Sequence, residues 1–405
     1  AIGNINLFGE HFQPDLYLLA PLYCIWNDVR IILIFQAILV TAAAIPIYLL
    51  ALKKLANNWL ALAVSAAYLL FGGTQFTITN EFHQSAFIPL LLSYGLYWLD
   101  VGKRNLGILT ILSLLLVKEE IGLLVAAIGL MFVFQKQAKT GITLMAGGLL
   151  GFYILMNSII PAVSSQNKYI HYGYGSLGET PAGVARSVIS DPLASLKTLI
   201  EPKIKLEQVG ASILSFGGLP LLSPVSLIPV FQNYAVRFID DRNIHRWLNN
   251  NHYSAPLSPL LAYATISALG RFKSRKLPAF YLIVTSIAVA LIFKLPVWSL
   301  FKPQLYFTPQ WVKNIDSIVK LIPENASVAT INSVFPHISQ RDKIYLLPEI
   351  RDAEYIVLDL EDGPNKYSPL DYHQVVSLSE RLQNESWDKI TVSGKSVIFR
   401  RPKGL

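Results

Sequence analysis

The stretch "RIILIFQAILVTAAAIPIYLLALKK" (residues 30–54) carries no charge between Arg30 and Lys53. An apolar run of about 20 residues is long enough to cross the hydrocarbon of a bilayer as a helix. The segment therefore predicts a transmembrane helix over about 29–52 and sets the class of the whole chain. Composition agrees: of 405 residues, 53% are hydrophobic and only 15% charged, against about 25% charged in soluble domains, and mean hydropathy is +0.43. Further apolar runs predict helices at about 58–77, 84–101, 105–117, 120–135, 140–161, 205–220, 223–236, 256–270 and 278–297. The expected fold is an α-helical polytopic membrane protein with about ten transmembrane or partial helices.

Charge divides the chain in two. Residues 298–405 hold 13 of the 26 Asp and Glu and 13 of the 34 Lys and Arg, so the whole +8 excess belongs to residues 1–297. A basic, apolar part suits anchoring at an anionic inner leaflet and gives no sign of nucleic-acid binding. The single Cys24 permits no internal disulfide. No initiator methionine or signal peptide precedes Ala1, and the expectation is that upstream sequence, with a first transmembrane helix, is missing.

Alternating the ten spans places Lys53, Lys54, Lys103, Arg104, Lys136, Lys139, Arg271, Lys273, Arg275 and Lys276 on one face, with no acid in those loops. By the positive-inside rule this face is cytoplasmic. The opposite face receives Glu10, Asp15, Asp28, Glu81, Glu119, Glu120, Glu179, Asp191, Glu201, Glu207, Asp240 and Asp241, with all five histidines of this part. The parity depends on 105–135. As one helix it would be about 46 Å long at 1.5 Å per residue and would put Lys103 and Lys136 on opposite sides. Two short helices meeting at "VKEEIG" (117–122) fit the charges and leave that junction within or near the hydrocarbon. The three prolines of "GGLPLLSPVSLIP" (217–229) predict a tight inner turn.

Residues 298–405 read as a small α/β domain outside the cytoplasm. "ASVATI" (326–331), "KIYLLP" (343–348), "YIVLDL" (355–360) and the pair "KITVS" and "SVIFRR" around Gly394 are short β-branched runs. Helices are expected near 310–322 and 371–384. No glycine-rich phosphate loop or nucleophile elbow is present. The stretch 162–206 reads as a long outer loop, and its "KYIHYGYGSLGETP" (168–181) suits either an aromatic belt at the headgroups or a surface that touches sugar.

Four clusters converge on the outer face: "GEHFQP" (9–14), "NEFHQ" (80–84), "KEE" (118–120) and "NNHYSAP" (250–256). Ionisable groups at membrane depth are costly and usually mark function. Their types fit glycosyl transfer from a lipid phosphate carrier. Glu10 or Glu81 would deprotonate an acceptor hydroxyl, and Lys118, helped by His83 or His252, would hold the leaving phosphate. His11, Glu119 and Tyr253 complete the candidate substrate-binding set. A plainer reading stands beside each role. Glu10 and Asp15 suit a wet loop before a helix N-terminus, Lys118 with Glu119 or Glu120 suits an ion pair closing a helical hairpin, and the histidines suit interfacial hydrogen bonding. No cofactor is required. A divalent metal has candidate ligands in Glu10, His11, Glu81 and His83, but loop spacing alone does not establish a site.

With these residues assembled, the chain resembles the domain of unknown function 2079 family of predicted membrane proteins, whose members look like family C-fold glycosyltransferases. The matching stretches are "GEHFQPDLYLLAPLY" (9–23), "EFHQSAFIPLLL" (81–92), "LLLVKEEIGLLV" (114–125), "LPLLSP" (219–224) and "HYSAPLSP" (252–259), with "SVATINSVFPHISQRDKIYLLPEIRDAEYIVLDL" (327–360) in the tail. The resemblance implies a plasma-membrane protein with a body resembling lipid-linked sugar transferases. It also implies an essential acid in the first outer loop, of which only the end is present here; Glu10 stands where relatives often carry another polar residue. The expected function is transfer of a sugar from a polyprenyl phosphate to an extracytoplasmic acceptor. The rival expectation is a non-catalytic lipid or polysaccharide transporter or scaffold.

Overall fold

The computed structural model describes residues 6–169, 174–178, 180–272, 276–361 and 368–402. The centre of "KYIHYGYG", Glu179, Lys273 and Arg275 lie outside the described residues. The chain forms two compact units, one of Ile5–Pro21 with Ile32–Ser299, the other containing Leu22–Ile31 and the chain from Leu300 onward.

In the first unit the opening run forms α1 (Arg30–Ala42) and α2 (Ala44–Leu55), which follow each other closely enough to make one apolar stretch of 26 residues. Asn57 caps α3 (Asn58–Leu70) by accepting from Leu60 N at 2.9 Å. The chain then bends by 52° into α4 (Gly72–Thr79). The bend sits where Phe71 turns extended (φ −66°, ψ 134°) ahead of two glycines, the residue type at which sharp helix kinks recur. α5 (Phe87–Asp100) and α6 (Arg104–Leu112) follow, and a 3-10 turn over Ser113–Leu116 leads to the junction. α7 (Ile121–Phe134) and α8 (Ala138–Ile154) form an antiparallel pair. Thus 105–135 is two helices, with Lys118, Glu119 and Glu120 in the turn between them.

α7 and α8 meet through glycines. A Cβ on Gly129 would lie 2.5 Å from Gly141 O, one on Gly141 would lie 2.5 Å from Gly129 O, and Gly122 and Gly148 face each other in the same way. Small residues let helix backbones approach this closely in a membrane protein, where the hydrophobic effect gives little drive to helix pairing.

Beyond α8 the helical course continues to Val163. The expected long loop contains two helices, α9 (Pro181–Ser190) and α10 (Pro192–Ile200), each with proline at its first position and capped by Thr180 and Asp191 respectively. Their apolar residues recur at helical intervals and form no run. α11 (Ile204–Ser215) is shorter than expected. After the proline-rich turn come α12 (Ile228–Ile239), α13 (Leu257–Leu269) and α14 (Lys276–Ile292).

The chain is mostly helical, but the expectation of ten crossings holds only in coarse form. Arg30–Leu55 and Ala138–Val163 are long and apolar enough to cross a membrane, and the bent pair α3–α4 makes a third if taken as one span. The others are partial: the 14 residues of α7 reach about 21 Å, less than the roughly 30 Å of a bilayer core.

The second unit holds a five-stranded sheet in the order β2-β1-β3-β5-β4. β1 (Val328–Thr330) pairs in parallel with β2 (Ile344–Leu346) and β3 (Tyr355–Asp359), while β5 (Ser396–Arg400) runs antiparallel to β3 and to β4 (Asp388–Ser393). The continuous apolar run of β3 follows from its central place, where both faces are covered. Ile356, Val357 and Leu358 are fully buried, in one core with Ile315 and Ile318 of α15 (Gln310–Val319) and Leu382 of α16 (Tyr372–Asn384). α16 starts in a reciprocal cap, Asp371 accepting from Gln374 N and Gln374 Oε1 accepting from Asp371 N, both at 2.9 Å. Asp371→Ala should destabilise this unit by about 1 kcal/mol, read as a shift in its unfolding transition in the full-length protein.

Candidate functional site

The α6–α7 turn puts three consecutive ionisable residues, Lys118, Glu119 and Glu120, into the interior. Glu119 is 0% exposed. A buried carboxylate needs hydrogen-bond donors, and two distant segments supply three of them. His11 Nδ1 donates to Oε1 at 2.8 Å, Tyr169 OH donates to the same oxygen at 2.7 Å, and Phe12 N donates to Oε2 at 3.1 Å. The segment 9–14 is thereby fastened to the junction.

Glu120 faces two cations. Lys118 Nζ lies 2.9 Å from Oε1 and Arg246 Nη2 3.3 Å from Oε2, while Arg246 Nη1 reaches Asp240 at 3.6 Å. Tyr253 lies against both, its ring centroid 5.4 Å from Lys118 Nζ and 5.5 Å from the Arg246 guanidinium, with Tyr174 on Arg246 at 5.8 Å. Such cation–π contacts strengthen on desolvation.

Arg237, buried at the end of α12, shapes the loop that carries Arg246. Its Nε donates to Arg246 O at 2.7 Å, and its Nη2 donates to the carbonyls of Trp247 and Leu248 and to Asn249 Oδ1. The guanidinium thus satisfies its donors on carbonyl oxygens and fixes 246–249. The neighbouring loop 80–84 is tied by Gln36, a buried amide within apolar α1. Gln36 Oε1 accepts from His83 N at 3.0 Å and Nε2 donates to Asn80 O at 3.1 Å.

His83 and His252 stack face to face, centroids 3.4 Å apart and planes 9° apart. Burial, and then His252 and Lys118 nearby, holds the His83 imidazole well below its usual value. Burial, and then Lys118, pushes His252 down to about 3. Both shifts favour the neutral imidazole. His83 Nδ1 accepts from Ser85 N at 3.2 Å, so its proton sits on Nε2 and each ring has one N–H to give.

Between these groups lies a small cavity of about 30 Å³ lined by Glu120, Arg237, Arg246, His252 and Tyr253, large enough for ordered water. Arg246 Nε and Gln232 Oε1, on two lining residues, are buried without a hydrogen-bond partner among the described residues.

Of the residues singled out in the sequence, His11 meets Glu119, Lys118 meets Glu120 and Tyr253, and His83 meets His252. The carboxylates of Glu10 and Glu81 are outside this bonded network, Glu81 at the surface and Glu10 half-buried. Both oxygens of buried Asp15 lack a hydrogen-bond partner among the described residues. The proposed metal set does not converge: among the described residues no three His, Cys, Asp or Glu come together as ligands. Sequence reasoning passed over Arg246, Arg237 and Gln36, took Asp240 only as an outer-face acid, and took Tyr169 only as part of the 168–181 stretch. The one available signal was polarity at an apolar position, as at Gln36.

Residues 1–391 match the family described as predicted membrane protein, domain of unknown function 2079. The chain belongs to this family. The match to the 2079 family takes in the apolar helices, the ionisable cluster and most of the sheet unit. No curated protein and no solved structure is similar enough to this 2079-family chain to match it.

Proposed function

We propose that this protein is a glycosyltransferase-like membrane enzyme that moves a sugar from a polyprenyl-phosphate carrier to an acceptor hydroxyl outside the cytoplasm. The observation that carries the reading is the convergence of Lys118 and Arg246 on Glu120 beside a small cavity of mixed lining, with the loops bearing Glu10 and Glu81 fastened to the same cluster. Buried charge of this kind in a membrane protein is expensive and is kept where it acts.

In the reaction the acceptor oxygen forms a bond to the anomeric carbon of the sugar as the bond from that carbon to the phosphate oxygen breaks. Glu10 or Glu81, whose carboxylates are outside the bonded network, takes the acceptor proton. Glu119 is spoken for by three donors and acts as a positioning residue for His11. Lys118 keeps donors beyond the one directed at Glu120, and with Arg246 it neutralises charge on the departing phosphate. His252 and Tyr253 line the same space and contact the sugar or its phosphate. A protein with this role sits in the plasma membrane with the C-terminal unit outside, where it would present acceptor.

The test is binding of a polyprenyl-phosphate sugar to the full-length protein in lipid nanodiscs. Lys118→Met should weaken it by more than about tenfold, the loss of one charge-assisted hydrogen bond, while Arg246 continues to satisfy Glu120 and the fold survives. Unchanged affinity in a folded variant rejects the role. The 52° break at Phe71 is the feature that suits the transport reading instead, and movement of the carrier across sealed liposomes without sugar transfer would favour it.

A further inference from the structure

Apart from the charged cluster, the first unit has a larger hollow of about 620 Å³, within the range of small-molecule sites. Its walls come from the start of α4, from α11, from residues 289–295 and from the loop 248–250. Most of the lining is apolar, including Phe76, Leu214 and Phe293. Leu214 and Phe293 are 55% and 54% exposed, so the hollow opens at an apolar rim.

Its polar end is neutral. Among its lining residues Glu207 alone is ionisable, and Lys203 answers that charge at 3.3 Å. The remaining polar groups are amides and hydroxyls. Gln208 Oε1 accepts from Asn249 N at 2.8 Å, while Gln208 Nε2 and the Asn250 side chain make no hydrogen bond among the described residues. Arg237 and Arg246 lie on the other side of one contact, Arg237 Nη2 to Asn249 Oδ1 at 3.1 Å, because both arginines line the small cavity and Asn249 lines the hollow.

We infer that this hollow binds the hydrocarbon chain of a membrane lipid whose head is uncharged and bears hydroxyls, with the head at Gln208 and Asn250. An apolar groove in the wall of a membrane protein meets hydrocarbon chains as its surroundings. The lining then selects the head: a phosphate or carboxylate would find no cation among the lining residues, and the nearby Lys203 is already paired with Glu207, whereas hydroxyls can both donate to and accept from free amides. The site is distinct from the place given to the carrier phosphate, and its occupancy needs no sugar transfer, so the two readings fail separately.

Gly210 supplies the test. It lines the hollow from α11, and a Cβ there would meet nothing within 4 Å, so a larger side chain fills the space without striking the backbone. The full-length protein in phosphatidylcholine nanodiscs would be photolabelled with a diazirine monoacylglycerol and with a diazirine alkyl phosphate of equal chain length. The neutral probe should mark peptides from 204–215 and 289–295 about tenfold more than the phosphate probe, a difference a few lost hydrogen bonds can produce. Excess monoolein should suppress that labelling, Gly210→Phe should cut it by a similar factor, and Gly210→Ala should preserve it. Equal or preferred labelling by the phosphate probe, or no competition by monoolein, overturns the inference even if Gly210→Phe fails to fold. Undiminished labelling in a folded Gly210→Phe overturns it as well.

Discussion

Glu119→Ala is expected to lower stability by about 3–5 kcal/mol, the range for removing one member of a buried charged network. The carboxylate is fully buried and takes hydrogen bonds from His11, Phe12 N and Tyr169. Its removal leaves three donors facing a cavity that an alanine cannot fill or satisfy. Glu119→Gln retains one acceptor oxygen and a similar shape, and its loss should be smaller. The measurement is reversible unfolding of the full-length protein in mixed micelles. A loss under about 1 kcal/mol for the alanine variant would mean that the segment 9–14 is not held by Glu119.

Gly141→Leu should be about as damaging, costing about 3 kcal/mol or abolishing folding. The new Cβ would sit 2.5 Å from Gly129 O and 2.6 Å from Val133 Cγ2, and the first of these is backbone that can yield only if α7 and α8 separate. The sign of a smaller change is more telling. Alanine in place of a helical glycine normally stabilises by about 1 kcal/mol, and Gly210→Ala, where space is open, should show such a gain. Gly141→Ala should show a loss. The same micelle unfolding assay reads both, and matching gains would contradict the close approach of the two helices. Because α7 leads from the Lys118–Glu120 turn, its separation from α8 should also weaken the proposed binding at the cluster.

How much of this was legible in the sequence depended on whether the signal was local. The apolar run at 30–54 and the β-branched runs of the tail locate their elements to within a few residues, because burial of one face or of a whole segment imposes a pattern along the chain. The division of 105–135 into two helices was legible from charge, since Lys103 and Lys136 could not otherwise share a side. α9 and α10 were missed because their apolar residues recur at helical intervals and do not form the continuous runs that mark a membrane helix. Arg246 was missed for another reason. Its partner Glu120 is 126 residues away, and such a pairing leaves no trace in spacing. Glu119 was legible as a buried acid, but its three donors were not. The glycine contacts lay in the open at seven-residue separation, 122 with 129 and 141 with 148, yet only the antiparallel packing gives that spacing a meaning.

The proposed chemistry requires the cluster and its flanking acids to stand on the side of the bilayer away from the basic loops. The direct measurement is labelling of Glu81→Cys, placed at an exposed position, in a Cys24→Ser background that removes the one native thiol. Intact cells with a permeable outer barrier would be treated with a membrane-impermeant maleimide, using Lys54→Cys as the inner-face control. Labelling of the Glu81→Cys variant before the inner membrane is broken, with the Lys54→Cys variant reacting only afterwards, is the predicted result. Protection of the thiol at position 81 until the membrane is broken would place the acids in the cytoplasm and contradict the proposed topology.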